Sequence, residues 1–289
     1  VSGAARALDL RNRLGRGESV LMPGVWDVLS ARVVHEAGLS TAFLSGFAVS
    51  GTLLGRPDVG LLTQMEMAEV AARVCGTVDE LNVVVDADTG YGNASNVIRT
   101  VELWESAGAA GLFLEDQVWP KKCGHMADKQ VVPREEWLTK LRAACDHRGH
   151  LFVTARTDAR GAVSLDEAIE RAKMARDLGV DALFVEAPQS IADMERIARE
   201  LSGSILVANM VEKGLTPLLT PTELADLGFR LIVSPLSLLL SATRAMQDAA
   251  RELATSGTLR DRLATITPFD EFTDIVGLPE HREREDRYR

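Results

Sequence analysis

An α/β fold of the (β/α)8 TIM-barrel type is predicted by three observations. Eight short apolar runs alternate with amphipathic stretches along the 289 residues. Most of those runs end on a polar or charged residue, and the stretches between them repeatedly close on glycine. Alternating strand and helix with short links calls for a parallel sheet. Eight such units, in a chain near the ~250 residues usual for this architecture, favour a closed barrel over an open sheet.

The strand candidates are residues 20–23, 42–45, 83–86, 111–115, 152–156, 182–186, 205–209 and 231–234. Each is β-branched or aromatic-rich and lacks polar alternation, as expected of strands buried on both faces. Of the intervening segments, 164–178 is the plainest helix, with Leu165, Ala168, Ile169, Ala172 and Ala175 at helical spacing. Ser164 and Glu167 predict a capping box at its start. Gly38, Gly108, Gly179 and Gly228 stand where helices should end. No Gly/Ser/Pro-rich linker divides the chain, so residues 1–289 are expected to form one domain, with 236–289 as a C-terminal helical extension. From Ser241 onward one or two further helices and a charged tail over 281–289 are expected.

Ser45, Asp86, Glu115, Arg156, Glu186, Asn209 and Ser234 each close a strand candidate. In a barrel those ends meet at one mouth, where active sites of this fold lie. Loops begin with polar residues in any fold, which explains some of them. It does not explain a succession of acids, an arginine and an amide in place of turn formers.

Acidic residues outnumber basic ones by 42 to 32, a net charge of −10. That argues against the basic face needed for nucleic acid and against attraction to anionic membrane, so an anionic substrate requires positive charge gathered locally. The longest apolar run, 231–240, is interrupted by Ser234, Pro235 and Ser237 and is too short to cross a bilayer. Three cysteines form no even framework and no signal-peptide pattern is present, so a reducing, cytoplasmic setting is expected.

The densest chemistry lies in Gly111-Leu-Phe-Leu-Glu-Asp-Gln-Val-Trp-Pro-Lys-Lys-Cys-Gly-His125. Lys121, Lys122 and His125 favour the thiolate of Cys123; a zinc site is disfavoured because Cys-x-His is too tight. Asp86 and Asp88, two apart on an extended segment, share a face and repel unless a cation lies between them. With Asp58 and Glu115 they offer the oxygen ligands suited to Mg²⁺; the alternative is that they cap the following Gly-rich turn. Arg156 at a strand end suits bidentate grip of a carboxylate, and a salt bridge to Glu115 or Glu186 is compatible with that use. Phe43-Leu-Ser-Gly-Phe47 offers consecutive backbone N–H groups at a glycine turn, a small anion nest. Cys75 and Cys145 read as inert core thiols, and His35, His147, His150 and His281 as packing or surface residues.

Taken together, Ser45-Gly-Phe, Leu54-Gly-Arg-Pro-Asp58, Asp86-Ala-Asp-Thr-Gly-Tyr-Gly92, Glu115-Asp-Gln, Lys121-Lys-Cys-Gly-His125, Ala155-Arg-Thr-Asp-Ala159, Phe184-Val-Glu-Ala187 and Ala208-Asn-Met resemble the isocitrate lyase / phosphoenolpyruvate mutase superfamily, lyase branch, over about residues 20–245. The resemblance implies Mg²⁺ (or Mn²⁺) near Asp86 and Asp88, with Asp58 and Glu115 mainly through water. It implies Cys123 as acid/base beside Lys121, with Ser45, Gly46, Phe47, Gly124, His125, Arg156, Glu186, Asn209 and Pro235 around the substrate. It also implies a homotetramer in which a C-terminal helix packs on a neighbouring subunit.

Two positions depart from methylisocitrate lyases, which carry arginines where this chain has Leu240 and Pro268, and Phe43 replaces a tyrosine. The segments 184–188 and 231–237 are instead similar to the alkylmalate lyase / oxaloacetate hydrolase group. The expected activity is Mg²⁺-dependent carbon–carbon cleavage of a small 2-hydroxydicarboxylate such as a 2-alkylmalate, of the 2,3-dimethylmalate type. Oxaloacetate hydrolysis, a carboxyphosphonoenolpyruvate-type mutase and methylisocitrate cleavage are the alternatives.

Overall fold

The computed structural model describes residues 2–122 and 128–289. Eight parallel strands, β1 (Val20–Val25), β2 (Thr41–Leu44), β3 (Asn82–Asp86), β4 (Gly111–Glu115), β5 (Phe152–Thr157), β6 (Ala182–Val185), β7 (Ile205–Asn209) and β8 (Phe229–Ser234), close into a barrel in chain order. Closure is made by β8 on β1, with Val20 opposite Leu231. All eight sequence-predicted strands are present, with ends shifted by a residue or two.

Strand pleating sorts the apolar runs into two cores. Val83, Val85, Leu112 and Leu114 face outward and pack with Trp104, Trp137, Leu141 and Ile169 of the surrounding helices. Val84 and Phe113, between them in sequence, face inward with Met22, Phe43, Phe152, Phe184, Val207 and Leu231. Both faces are therefore dry, and burial of each large side chain contributes about 1.5–3 kcal/mol.

A helix at Gly3–Gly15, which the sequence reading did not foresee, seals the N-terminal end of the barrel. Its Leu10 and Leu14 join the inner core. Arg6, buried, donates to the carbonyls of Gly108 and Cys75, both at 3.0 Å. Arg11 pairs with Asp181 at 2.8 Å and donates to the Leu151 carbonyl at 2.6 Å.

Gly38, Gly108, Gly179 and Gly228 all adopt positive φ after a helix, as expected. The capping box at Ser164 is only half formed. Its hydroxyl accepts from the Glu167 N–H at 3.1 Å, whereas the Glu167 carboxylate is drawn off to Arg134 and Arg171. At Gly24 a Cβ would lie 1.9 Å from the Pro235 carbonyl oxygen, so only glycine lets the segment after β8 cross β1 there.

After β8 the chain is more helical than expected. Helices Ser237–Ser256, Phe269–Ile275 and Leu278–Asp286 follow one another, with a 3₁₀ turn at Arg260–Thr265. Part of the expected charged tail is thus a helix, with His281 and Glu285 one turn apart and paired at 3.4 Å. No helix among the described residues is long and apolar enough to cross a membrane.

Candidate active site

A cavity of about 50 Å³ opens among the C-terminal ends of the strands. Ser45, Phe47, Asp58, Asp86, Glu115, Lys121, Arg156, Asn209 and Pro235 line it, as do Phe43, Phe113, Phe184, Val211, Val233 and Leu236. The volume is several times the ~10–15 Å³ of probe space one water needs, which suits a compact acid. Its wall is polar on the side of β3–β5 and apolar on the side of β8.

The floor is aromatic. Phe43 packs on Phe113 with ring centroids 4.9 Å apart, and Phe113 on Phe184 at 5.6 Å. The Arg156 guanidinium lies 5.4 Å above the Phe184 ring, held on a face whose quadrupole favours a cation. With Phe43 in place of a tyrosine, that ring supplies contact area and no proton.

At the end of β3 the two aspartates converge, though not by strand alternation. β3 stops at Asp86, and Asp88 has φ +46°, a left-handed turn. Asp86 accepts the Asp88 N–H at 3.1 Å and the Gly46 N–H at 3.3 Å. Capping of the turn is therefore real for Asp86 and coexists with its place in the cavity. The Gly46 N–H of the expected anion nest is directed at Asp86, and the Ser45 hydroxyl accepts from Ala48 as a helix cap at 3.3 Å.

Lys121 inserts its ammonium between carboxylates, 2.6 Å from Asp58 and 2.7 Å from Asp88, with its side chain 4% exposed. Burial pushes the Asp88 carboxyl up to about 7, against the pull of Lys121, and Asp86 and Asp58 push the same way. Burial likewise holds Glu115 well above the ordinary range, with Arg156 opposing and Asp158 reinforcing. Burial alone would lower Lys121, but Asp88, Asp58, Asp86 and Glu115 outweigh it and keep the ammonium charged. One ammonium cannot balance this many acids.

Arg156 forms the second cluster. It meets Glu115 at 3.2 Å, Asp158 at 2.9 Å and Glu186 at 3.6 Å. Glu186, fully buried just past β6, also accepts from the Asn209 amide at 3.2 Å. Ala187 immediately after it has φ +55°, a conformation costing on the order of 1–3 kcal/mol and concentrated at functional sites.

Three residues of this network were not singled out from sequence. Asp158 bridges Arg156 to Lys129. Asp116, buried beside Glu115, accepts from the Thr157 hydroxyl at 2.6 Å and the Asp158 N–H at 2.8 Å. The signal for Asp158 was present in the Arg-Thr-Asp motif; Lys129 sits among polar neighbours and carries none.

The expected residues Cys123, Gly124 and His125 lie outside the described residues. Before and after them in sequence, Gln117 bridges to Val131 in antiparallel fashion and holds the Lys122 backbone at both its N–H (2.9 Å) and its carbonyl (2.8 Å). Cys75 is buried, and burial pushes its thiol up to about 11, as suits an inert core residue. Leu240 is 46% exposed in an outer groove, and neither it nor Pro268 lines the cavity.

Whether a divalent cation fits follows from the donor set. Among the described residues no three His, Cys, Asp or Glu side chains are gathered as a ready ligand cage. Mg²⁺ seldom uses one, since it keeps several waters and takes one or two carboxylates plus substrate oxygens. The donors near Asp86 are all carboxylate oxygens, and the buried Glu115 Oε1 has no hydrogen-bond partner. Excess buried negative charge and an orphaned oxygen fit a hard cation with its water shell.

The phosphoenolpyruvate phosphomutase family profile matches residues 10–254. The chain is 47% identical over 274 residues to carboxyvinyl-carboxyphosphonate phosphorylmutase, chloroplastic, of Arabidopsis thaliana, covering 93% of this chain and 80% of the relative. It is 41% identical over 286 residues to 2,3-dimethylmalate lyase of Eubacterium barkeri, covering 98% of each. Oxaloacetate acetylhydrolase in complex with 3,3-difluorooxalacetate superimposes with a TM-score of 0.93 at 33% identity, over 99% of this chain and 97% of the other. Phosphonopyruvate hydrolase in complex with oxalate and Mg²⁺ superimposes with a TM-score of 0.88 at 25% identity, over 98% and 99%.

Proposed function

The chain belongs to the phosphoenolpyruvate phosphomutase family, within the PEP mutase/isocitrate lyase superfamily of lyases and mutases, and from that premise we propose that it is a Mg²⁺-dependent carbon–carbon lyase of 2-alkylmalates, of the 2,3-dimethylmalate type. The observation that carries the reading is the two-sided cavity. Arg156 and the acid cluster stand on one wall, while Val211, Val233 and Leu236 stand on the other. A dicarboxylate with a small alkyl substituent matches both walls; a third carboxylate would face apolar side chains and be left unpaired.

Asp86 and Asp88 would hold Mg²⁺, with Asp58 and Glu115 through water. The ion would supply Lewis-acid stabilisation of the negative charge that develops on the substrate oxygens, worth several kcal/mol. Arg156 grips one substrate carboxylate, fixed in aim by Asp158 and the Phe184 ring. Glu186, fully buried behind the lining and held by Asn209, or a water of the ion's shell would remove the proton from the 2-hydroxyl. That hydroxyl becomes the carbonyl of a 2-oxo acid as the adjacent carbon–carbon bond breaks. The electron pair of the broken bond stays with the departing carboxylic-acid fragment as its enolate. Cys123, assigned from sequence alone, protonates that carbon, with Lys121 and His125 favouring its thiolate afterwards. General acid help of this kind contributes roughly 10²–10⁴ in rate.

The test is release of the matching 2-oxo acid (pyruvate from a 2-methylmalate) from racemic 2-alkylmalates with Mg²⁺ and with EDTA. Absence of turnover on every alkylmalate, beside oxalate production from oxaloacetate, would replace this reading with the hydrolase one, which the likeness to oxaloacetate acetylhydrolase favours. Phosphorus NMR of the protein incubated with a carboxyphosphonate enol ester of pyruvate reports on mutase chemistry, favoured by the Arabidopsis relative.

The oligomer belongs to the same proposal. Helix Ser237–Ser256 buries none of its residues within the chain and exposes Leu240, Met246 and Leu253. Exchange of this helix between neighbours, in a tetramer, would cover them; sedimentation of a monomer overturns it.

A further inference from the structure

Lys129 lies outside the cavity lining, yet it is buried, with its side chain 3% exposed and Nζ 2.7 Å from Asp158 Oδ1. Asp158 is fully buried and divides its carboxylate. Oδ1 receives Lys129 and, at 3.2 Å, Arg156 Nη2, while Oδ2 receives Arg156 Nε at 2.9 Å. Its backbone is pinned from behind, because Asp116 accepts the Asp158 N–H and is itself paired with Arg171 at 3.1 Å. A place is kept for the lysine: a Cβ at Gly161 would lie 3.3 Å from Lys129 Cε and 3.4 Å from Nζ.

The consequence is electrostatic. Arg156 faces Asp158, Glu115 and Glu186 at once. With Asp158 as an unshared bidentate partner, its charge would be spent inside the protein. A second cation on the same carboxylate weakens that claim and leaves more of the guanidinium's charge directed at the cavity, while Asp158 still fixes its orientation. We propose that Lys129 is a positioning residue that shares Asp158 with Arg156 and thereby sets the strength with which Arg156 binds a substrate carboxylate. The proposal rests on the reading of Arg156 as the carboxylate-binding group.

The experiment is calorimetric binding of oxalate to the full chain in saturating Mg²⁺. Lys129→Met is expected to weaken oxalate binding about tenfold or more, and Lys129→Arg to return it to within about threefold. In an Asp158→Asn background, Lys129→Met is expected to add less than twofold, because its route to Arg156 is already cut. A merely structural lysine would show the same thermal destabilisation but independent, multiplying effects on binding. Oxalate affinity unchanged in Lys129→Met, or full multiplicativity with Asp158→Asn, overturns the proposal. If Lys129→Met does not fold, Gly161→Ala decides: crowding the lysine tip is expected to weaken oxalate binding about two- to fivefold at unchanged melting temperature, and wild-type affinity overturns it. Wild-type protein that binds no oxalate defeats the Arg156 reading itself, which separates that failure from one confined to Lys129.

Discussion

Replacing Lys121 with methionine tests the charge balance on which the site depends. The substitution keeps the unbranched stem, one atom shorter, and removes an ammonium lying 2.6 Å from Asp58 and 2.7 Å from Asp88. Those carboxylates are 7% and 2% exposed, so water cannot replace the lost partner. Breaking a buried pair from one side costs about 3–5 kcal/mol. At roughly 2 °C per kcal/mol for a chain of this size, the metal-free variant should melt on the order of 6–10 °C lower. The loss should depend on pH. Asp88, raised to about 7 in the folded protein from an ordinary 3.8, contributes stability that is fully present below pH ~4 and is lost as pH rises through 7. Without Lys121 its carboxyl shifts further up and a proton replaces part of the missing cation, so the deficit is smaller at pH 6 than at pH 8.5. Mg²⁺ should also replace it: at 100 times the dissociation constant, binding returns about 2.7 kcal/mol. The assay is thermal or urea unfolding of both proteins at two pH values, with Mg²⁺ and with EDTA. A deficit below 1 kcal/mol, or one indifferent to both pH and Mg²⁺, would refute the picture of an acid cluster awaiting cations.

Three further outcomes are expected. Gly24→Ala places a methyl group 1.9 Å from the Pro235 carbonyl, so it should lower stability by several kcal/mol or displace the segment after β8, read by denaturation and by a raised KM. Leu236→Ala enlarges the apolar wall, so the ratio of kcat/KM for an ethyl- over a methyl-substituted malate should rise about tenfold, with little change in Mg²⁺ affinity. Glu167, held down to about 2 by its bond to Arg134 and, after burial's opposing effect, by Arg171, contributes stability above pH ~4.5 that is lost as pH falls through 2; Arg134→Ala should flatten the acid limb of the unfolding curve by about 1–2 kcal/mol, with activity at pH 7.5 unchanged.

The barrel was legible because parallel strands buried on both faces leave unbroken apolar runs, and because the residues ending those runs must share one mouth. Asp86, Glu115, Arg156, Glu186 and Asn209 were readable as residues of the mouth, since each closes an apolar run that packing alone would have continued with a hydrophobe. Their pairing was not readable. That Lys121 reaches Asp58 and Asp88, or that Asp158 is shared, depends on loop paths that periodicity does not encode. The half-formed capping box shows the same limit: Glu167 has the right spacing from Ser164, and two arginines distant in sequence take its carboxylate. Helix Gly3–Gly15 escaped notice because its polar face is studded with arginines, two of which serve to dock it on carbonyls at the foot of the barrel.

That docked helix has a kinetic corollary. With Leu10 and Leu14 closing the foot among the described residues, whatever is made at the mouth leaves on the side of the mouth. Under the proposed cleavage, two fragments from one molecule should then depart in sequence, the one lodged against the aromatic floor leaving last. The later fragment should inhibit competitively against the intact substrate and the earlier one noncompetitively, so steady-state inhibition patterns carry a record of how deep in the barrel each half was held.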